Sequence, residues 1–192
     1  MIALIALAGA EASVAAAPFH HPVGEWREYN RDWLAACPDE IVEDDVTSYY
    51  GTSCFASTGS QELNSAGLPA WKLTLVHNRL NGDIDLAFTT APTTDTIDTN
   101  RPLRLEFTGG PVVELVFATD LETRYSSTNQ WFIADDSKRD SLIELLQSRA
   151  SLTLAIPVTN STASVRHVRL SLQGVLASLD FMANYARRVS QY

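Results

Sequence analysis

Four stretches of this chain switch between apolar and polar side chains at every residue, and that period of two restricts its fold more than any other feature. Trp71-Lys72-Leu73-Thr74-Leu75 and Leu103-Arg104-Leu105-Glu106-Phe107 show it, as do the runs carrying Ala150, Leu152, Leu154 and Ile156 and then Val168, Leu170 and Leu172. Successive side chains of a strand point to opposite faces, so each run reads as a strand with one buried face. Asn81-Gly82 marks a tight turn, and Ile84, Leu86 and Phe88 continue the alternation, which makes Trp71 to Thr90 a hairpin whose register the Val76 to Leu80 approach leaves open. Ala91 to Arg101 reads as loop. Gly109-Gly110-Pro111 breaks the next strand, and Val112 to Ala118 supplies its partner. Trp131-Phe132-Ile133 is a shorter strand.

Two segments change period. Leu142, Leu145 and Leu146 share one helical face within Ser137 to Ser148, and Asp135, Asp136 and Ser137 offer oxygens to cap its free N–H groups. Asn160-Ser161-Thr162 reads as a turn, and Gly174 ends the last strand. Val175, Leu176, Leu179, Met182 and Tyr185 then resume helical spacing, with Arg187 and Arg188 at the negative end of that helix. The expected fold is mainly β: an antiparallel β-sandwich-like domain over residues 18–192 with a short internal helix and a C-terminal helix.

The first 17 residues read as an address. Ile2 to Ala8 is an apolar run too short to cross a bilayer, and the small residues Ala15-Ala16-Ala17, or Val14-Ala15-Ala16, suit signal peptidase, although a basic n-region is missing. The alternative is an Ala-rich tail. No later stretch reaches the length of a membrane span. Cys37 and Cys54 are the two cysteines, without CxxC spacing or a neighbouring His, so the expectation is one structural disulfide formed in an oxidising compartment. A loop of that length contributes about 3 kcal/mol in the chain-entropy model. Two buried thiols are the other reading. With 14 Lys and Arg against 23 Asp and Glu, the net charge is −9 and nucleic acid is not an expected partner. Arg166, His167 and Arg169 read as a solvated face.

Chemistry is hard to place. The sequence holds no G-x-S-x-G, H-E-x-x-H or P-loop, and the expectation is a non-enzymatic protein without catalytic residues, cofactor or metal. His20 would be the third residue after cleavage at Ala17, a position that can ligate Cu(II). Asp39, Glu40, Glu43, Asp44 and Asp45 crowd the inter-cysteine segment, where a solvated acidic loop competes with an oxygen-ligand cation site. Asp83 with Asp85, or Asp135 with Asp136, are the carboxylates an unrecognised hydrolase would use. Trp26, Trp33, Tyr49 and Tyr50 form a candidate interaction surface for an envelope protein or envelope component, core packing being the alternative for both Trp. A small-ligand or lipid carrier is the competing function, and it requires an apolar cavity of on the order of 300 Å³ or more between the sheets.

Two sets of residues together resemble the invasion-associated locus B family of bacterial envelope proteins. One is Trp33 with Cys37-Pro38 and Gly51-Thr52-Ser53-Cys54, similar to that family's Trp- and Cys-bearing strands. The other is the succession Asn100 to Leu105, Leu142 to Leu154 and Val168-Arg169-Leu170-Ser171-Leu172-Gln173-Gly174, similar to its strand, leucine helix, strand and closing S-L-x-G-type turn. Many members carry a second Cys pair, for which Tyr125 to Trp131 offers no residue here. The resemblance implies a compact sandwich in the periplasm or against the outer membrane, a link to host-cell invasion in pathogenic relatives, and no defined reaction.

Overall fold

The computed structural model describes residues 17–40, 51–91, 96–124, 127–159 and 163–189, with side chains to residue 186. Twelve strands form two antiparallel sheets in a sandwich-like arrangement. The larger sheet has the order β1-β2-β3-β4-β5-β6-β10-β9, and the smaller β12-β11-β7-β8. In chain order the strands of the first sheet are β1 Phe19–His21, β2 Glu25–Asn30, β3 Trp33–Pro38, β4 Ser53–Gly59, β5 Trp71–Asn78, β6 Ile84–Thr90, β9 Leu121–Glu122 and β10 Gln130–Ile133. Those of the second are β7 Leu103–Phe107, β8 Val112–Leu115, β11 Ser151–Pro157 and β12 Val165–Ser171. The helices named among the described residues are α1 Phe117–Asp120, α2 Asp136–Ser148 and α3 Val175–Val189.

The alternating runs face inward as their period requires. Leu73 and Leu75 of β5, Leu86 and Phe88 of β6, Leu105 of β7, Leu152 and Leu154 of β11 and Val168 and Leu170 of β12 meet in one core between the sheets. α2 adds Leu142, Ile143 and Leu146, and α3 adds Val175, Phe181, Met182 and Ala186. The Trp71 to Thr90 hairpin forms, and its register is Leu73 opposite Phe88 and Leu75 opposite Leu86. Asp135 caps α2 by accepting the Lys138 N–H at 2.7 Å. The turn at Asn160-Ser161-Thr162 and the side chains of Arg187 and Arg188 lie outside the described residues.

One strand is shorter than the sequence implies. Val112 to Ala118 does not run through as a strand, because β8 stops at Leu115 and Phe117 starts the short helix α1. Asp120 accounts for the break: its N–H donates to the Val116 carbonyl and its side chain accepts the Val116 N–H, both at 2.8 Å. Closing that turn drops Phe117 into the core, edge-on to Trp131 with ring centroids 5.9 Å apart.

The disulfide between Cys37 and Cys54 is present, with Cα atoms 4.2 Å apart. It joins β3 to β4 one step beyond their last ladder pair, Ala36 opposite Phe55. A second join ties the β2–β3 connection to the start of α3. β2 and β3 are linked by a two-residue turn at Arg31-Asp32, and this turn sits on the corner between β12 and α3. Trp33 Nε1–H donates to the Ser171 carbonyl at 3.1 Å, and Asn30 Nδ2–H donates to Ser178 Oγ at 3.3 Å. The approach is so close that a Cβ on Gly174 would stand 1.8 Å from the Asn30 carbonyl oxygen.

Candidate functional site

β12 is the outermost strand of the smaller sheet, so one of its two backbone edges has no neighbouring strand. The pairing parity says which residues face that edge. Leu172 N–H donates to Ala150 O at 3.0 Å and Val158 N–H donates to Ser164 O at 3.1 Å. In an antiparallel ladder such pairs recur at every second residue, so Arg166, Val168 and Leu170 also turn their backbone groups toward β11. Val165, His167, Arg169 and Ser171 turn theirs outward. The Ser171 carbonyl is taken by the Trp33 indole, which agrees with that parity.

A cleft of about 640 Å³ runs along this open edge, a size in the range of ligand sites. Its opposite wall is the end of β4 and the segment after it, from Thr58 to Glu62. The β3–β4 ladder ends at Leu34 opposite Ser57, so only β5 holds β4 beyond that point. One end of the cleft is closed where Ser171 Oγ donates to Asp32 Oδ2 at 2.5 Å, and the other is bridged by Arg166 to Glu62 at 2.6 Å. Arg169 donates to Ser151 Oγ at 3.2 Å and forms no ion pair among the described residues. His167 is exposed beside it.

The aromatic residues read as an interaction surface separate. Trp33 is 1% exposed and belongs to the core, so it supplies no outer surface, and its contribution is the hydrogen bond that plugs the end of the cleft. Trp26 is half-buried and lies between the His20 and Tyr185 rings, at centroid distances of 5.4 and 5.7 Å. Tyr185 also lines a second groove, of about 550 Å³, between β2 and α3, where Asp180 is exposed, Glu28 half-buried and Asn30 buried. Tyr49, Tyr50 and the acidic residues Glu43, Asp44 and Asp45 lie outside the described residues.

The other candidate groups have structural occupations. His20 Nε2 stands 2.5 Å from Asp39 Oδ2. Asp85 is 9% exposed and binds Arg124 at 2.9 Å, with Arg139 3.9 Å away. Burial works against the charge on Arg124, but Glu122 and Asp85 outweigh it and hold its pKa above the ordinary value. The guanidinium also lies 4.6 Å over the Phe132 ring. Asp83 sits in the β5–β6 turn, where it accepts from Asn81 Nδ2 at 2.6 Å. Asp135 caps α2, and Asp136 pairs with Arg139 at 2.7 Å. Asp85 and Asp136 thus share the Arg139 guanidinium in an ion-pair network, while Asp83 and Asp135 are held in a turn and a helix cap. The apolar pocket between the sheets, bounded by Trp71, Phe88, Leu103 and Trp131, holds about 20 Å³, far below what a carrier needs.

The arrangement has a counterpart among solved structures. No family profile matches the chain, and no curated protein matches it. The fold is that of invasion associated protein B. The crystal structure of that protein from Bartonella henselae superposes with a TM-score of 0.55 over 84% of this chain and 98% of the other, at 18% sequence identity. At that identity the shared property is the fold alone.

The cleft itself was not visible from the sequence. Arg166, His167 and Arg169 read as a solvated face, and the signal that would have singled out the cleft is polar side chains at the alternate positions His167, Arg169 and Ser171 of a strand with no sheet neighbour. Alternation alone does not say whether a strand is central or at an edge.

Proposed function

We propose that this chain is an exported, non-enzymatic protein of the bacterial envelope that binds another protein or an envelope component through the cleft beside β12. Residues 18–192 act as one domain behind a signal segment at 1–17, in the periplasm or against the outer membrane. The observation that supports binding most is the cleft: a walled, polar space along a strand edge with outward backbone groups, lined by a cation without an ionic partner among the described residues. The disulfide supports an oxidising compartment. No helix among the described residues is long and apolar enough to cross a membrane. A part in host-cell invasion is the finer form of the proposal and rests on the fold shared with the Bartonella protein.

Intact mass of the protein from the envelope fraction of its native host, with and without thiol alkylation, tests the compartment. The expected result is a species lacking the leader whose Cys37 and Cys54 react only after reduction. A full-length cytosolic species with two free thiols would overturn it.

A further inference from the structure

Cations on an edge strand have an ordinary explanation, since natural sheets use them to discourage pairing with other chains. β12 fits that description as far as Arg166 and Arg169 go. Its surroundings do not. A protected edge faces open solvent, whereas this one faces a second wall, from Thr58 to Glu62, across a cleft of about 640 Å³ closed at Asp32 and bridged by Arg166 and Glu62. Inside the cleft the edge offers outward N–H and C=O groups of His167 and Arg169 at alternate positions. From His167 to Ser171 it spans roughly 13 Å at the rise of a strand.

Those groups choose among ligands. A lipid chain supplies neither donors nor acceptors at this repeat, and a polar lining does not favour it. A polypeptide in extended conformation supplies both, spaced as β12 presents them. Arg169 adds a side-chain preference. Its guanidinium donates to Ser151 Oγ and retains further donors, and a carboxylate is the partner whose geometry matches them. The net charge of −9 is screened by salt beyond about 8 Å, whereas the Arg169 contact is direct. Of the two carboxylates that line the cleft, Glu62 is paired with Arg166 and Asp32 accepts from Ser171 Oγ at one end.

We infer that the cleft accepts an extended segment of a partner polypeptide as an added strand on β12, with a carboxylate side chain of that segment on Arg169. The inference rests on the reading that the chain is a binding protein and names the class of partner. Three acetylated and amidated heptapeptides, alternating Glu with Thr, Ser or Val and labelled with a fluorophore, are titrated with the purified protein by fluorescence anisotropy. Each is also made in two N-methylated forms, blocking one or the other set of alternate backbone nitrogens.

The expected result is binding by at least one parent peptide and by one of its N-methylated forms. The other form, and a version with Lys for Glu, bind about tenfold more weakly or worse. Arg169→Ser weakens binding by about tenfold, the size of one lost charged hydrogen bond. His167→Pro also weakens it, since it removes an outward N–H and spares the β11 ladder, a substitution edge strands tolerate. Hydrogen exchange of the His167 and Arg169 amides slows when peptide is added, which reads pairing without any variant. The inference is overturned if no parent peptide binds at millimolar concentration, if both N-methylated forms bind as well as the parent, or if Arg169→Ser changes nothing. The assay uses purified protein, so its failure leaves the envelope location standing, and a cytosolic location leaves a positive result standing.

Discussion

Replacing Gly174 by Ala puts a methyl group where the structure has no room. The added Cβ would lie 1.8 Å from the Asn30 carbonyl oxygen and 2.8 Å from its carbon, both backbone atoms of a turn held by Trp33 and Asn30 hydrogen bonds. Gly174 also has φ of +105°, a conformation that side-chain-bearing residues rarely adopt. The conformational part costs about 1–3 kcal/mol. Relieving the overlap requires a shift of more than an ångström of backbone, which adds about 1–3 kcal/mol as overpacking and puts the Trp33 bond, worth about 1 kcal/mol, at risk. The sum is about 3–7 kcal/mol, a large share of the stability of a domain. Gly82→Ala is the control: φ is +83°, but nothing lies within 4 Å of the new Cβ. Urea unfolding followed by fluorescence reads both variants, and with a slope of about 2 kcal/mol per molar the Gly174→Ala midpoint should fall by roughly 1.5 M or more. Equal midpoint shifts for the two variants would refute the close-approach argument and leave only backbone strain.

Three further outcomes follow from the same geometry. Cys37→Ser with Cys54→Ser should lower stability by about 3 kcal/mol, and reductant should lower the melting temperature of the native protein but not of the double variant. Asp85→Asn leaves Arg124 and Arg139 facing each other across a half-buried site, at a cost of about 2 kcal/mol in urea unfolding, less than for a fully buried pair because Arg124 retains some solvent. Burial lowers the pKa of His77, so the unfolded chain takes up its proton first; stability should decline as pH falls from about 6.5 toward the lowered value, and His77→Gln should flatten that part of the melting-temperature profile.

What could be read from residues alone depended on whether a local rule had a competitor. The Trp71 to Thr90 hairpin was legible because Asn81-Gly82 and a period of two agree, and α2 because Asp135 caps a leucine face. Val112 to Ala118 was over-extended because its apolar run continues through Val116 and Phe117, while the break comes from a bond between Asp120 and Val116 that no periodicity records. β2 has no visible alternation, since Glu25 and Arg27 pair with each other on one face and Trp26, Glu28 and Asn30 meet α3 on the other. The Cys-bearing strands were reached through a family resemblance instead. The cleft was illegible for a different reason: its walls belong to β4 and β12, and which strands lie beside one another is a property of topology.

The docking of the Arg31-Asp32 turn on the β12–α3 corner also sets an order in time. Trp33 meets Ser171 across 138 positions of chain, and Asn30 meets Ser178 across 148. In a chain delivered amino end first into an oxidising compartment, β2 and β3 wait, with their docking partners unmade, until Ser171 and Ser178 arrive. The Cys37–Cys54 bridge closes over only 17 positions and can form during that wait. It would hold two neighbouring strands in register while the rest of the sheet is still arriving. Early oxidation and late docking are then successive stages of one assembly, and a chain truncated before Gly174 would retain its bridge but never finish the fold.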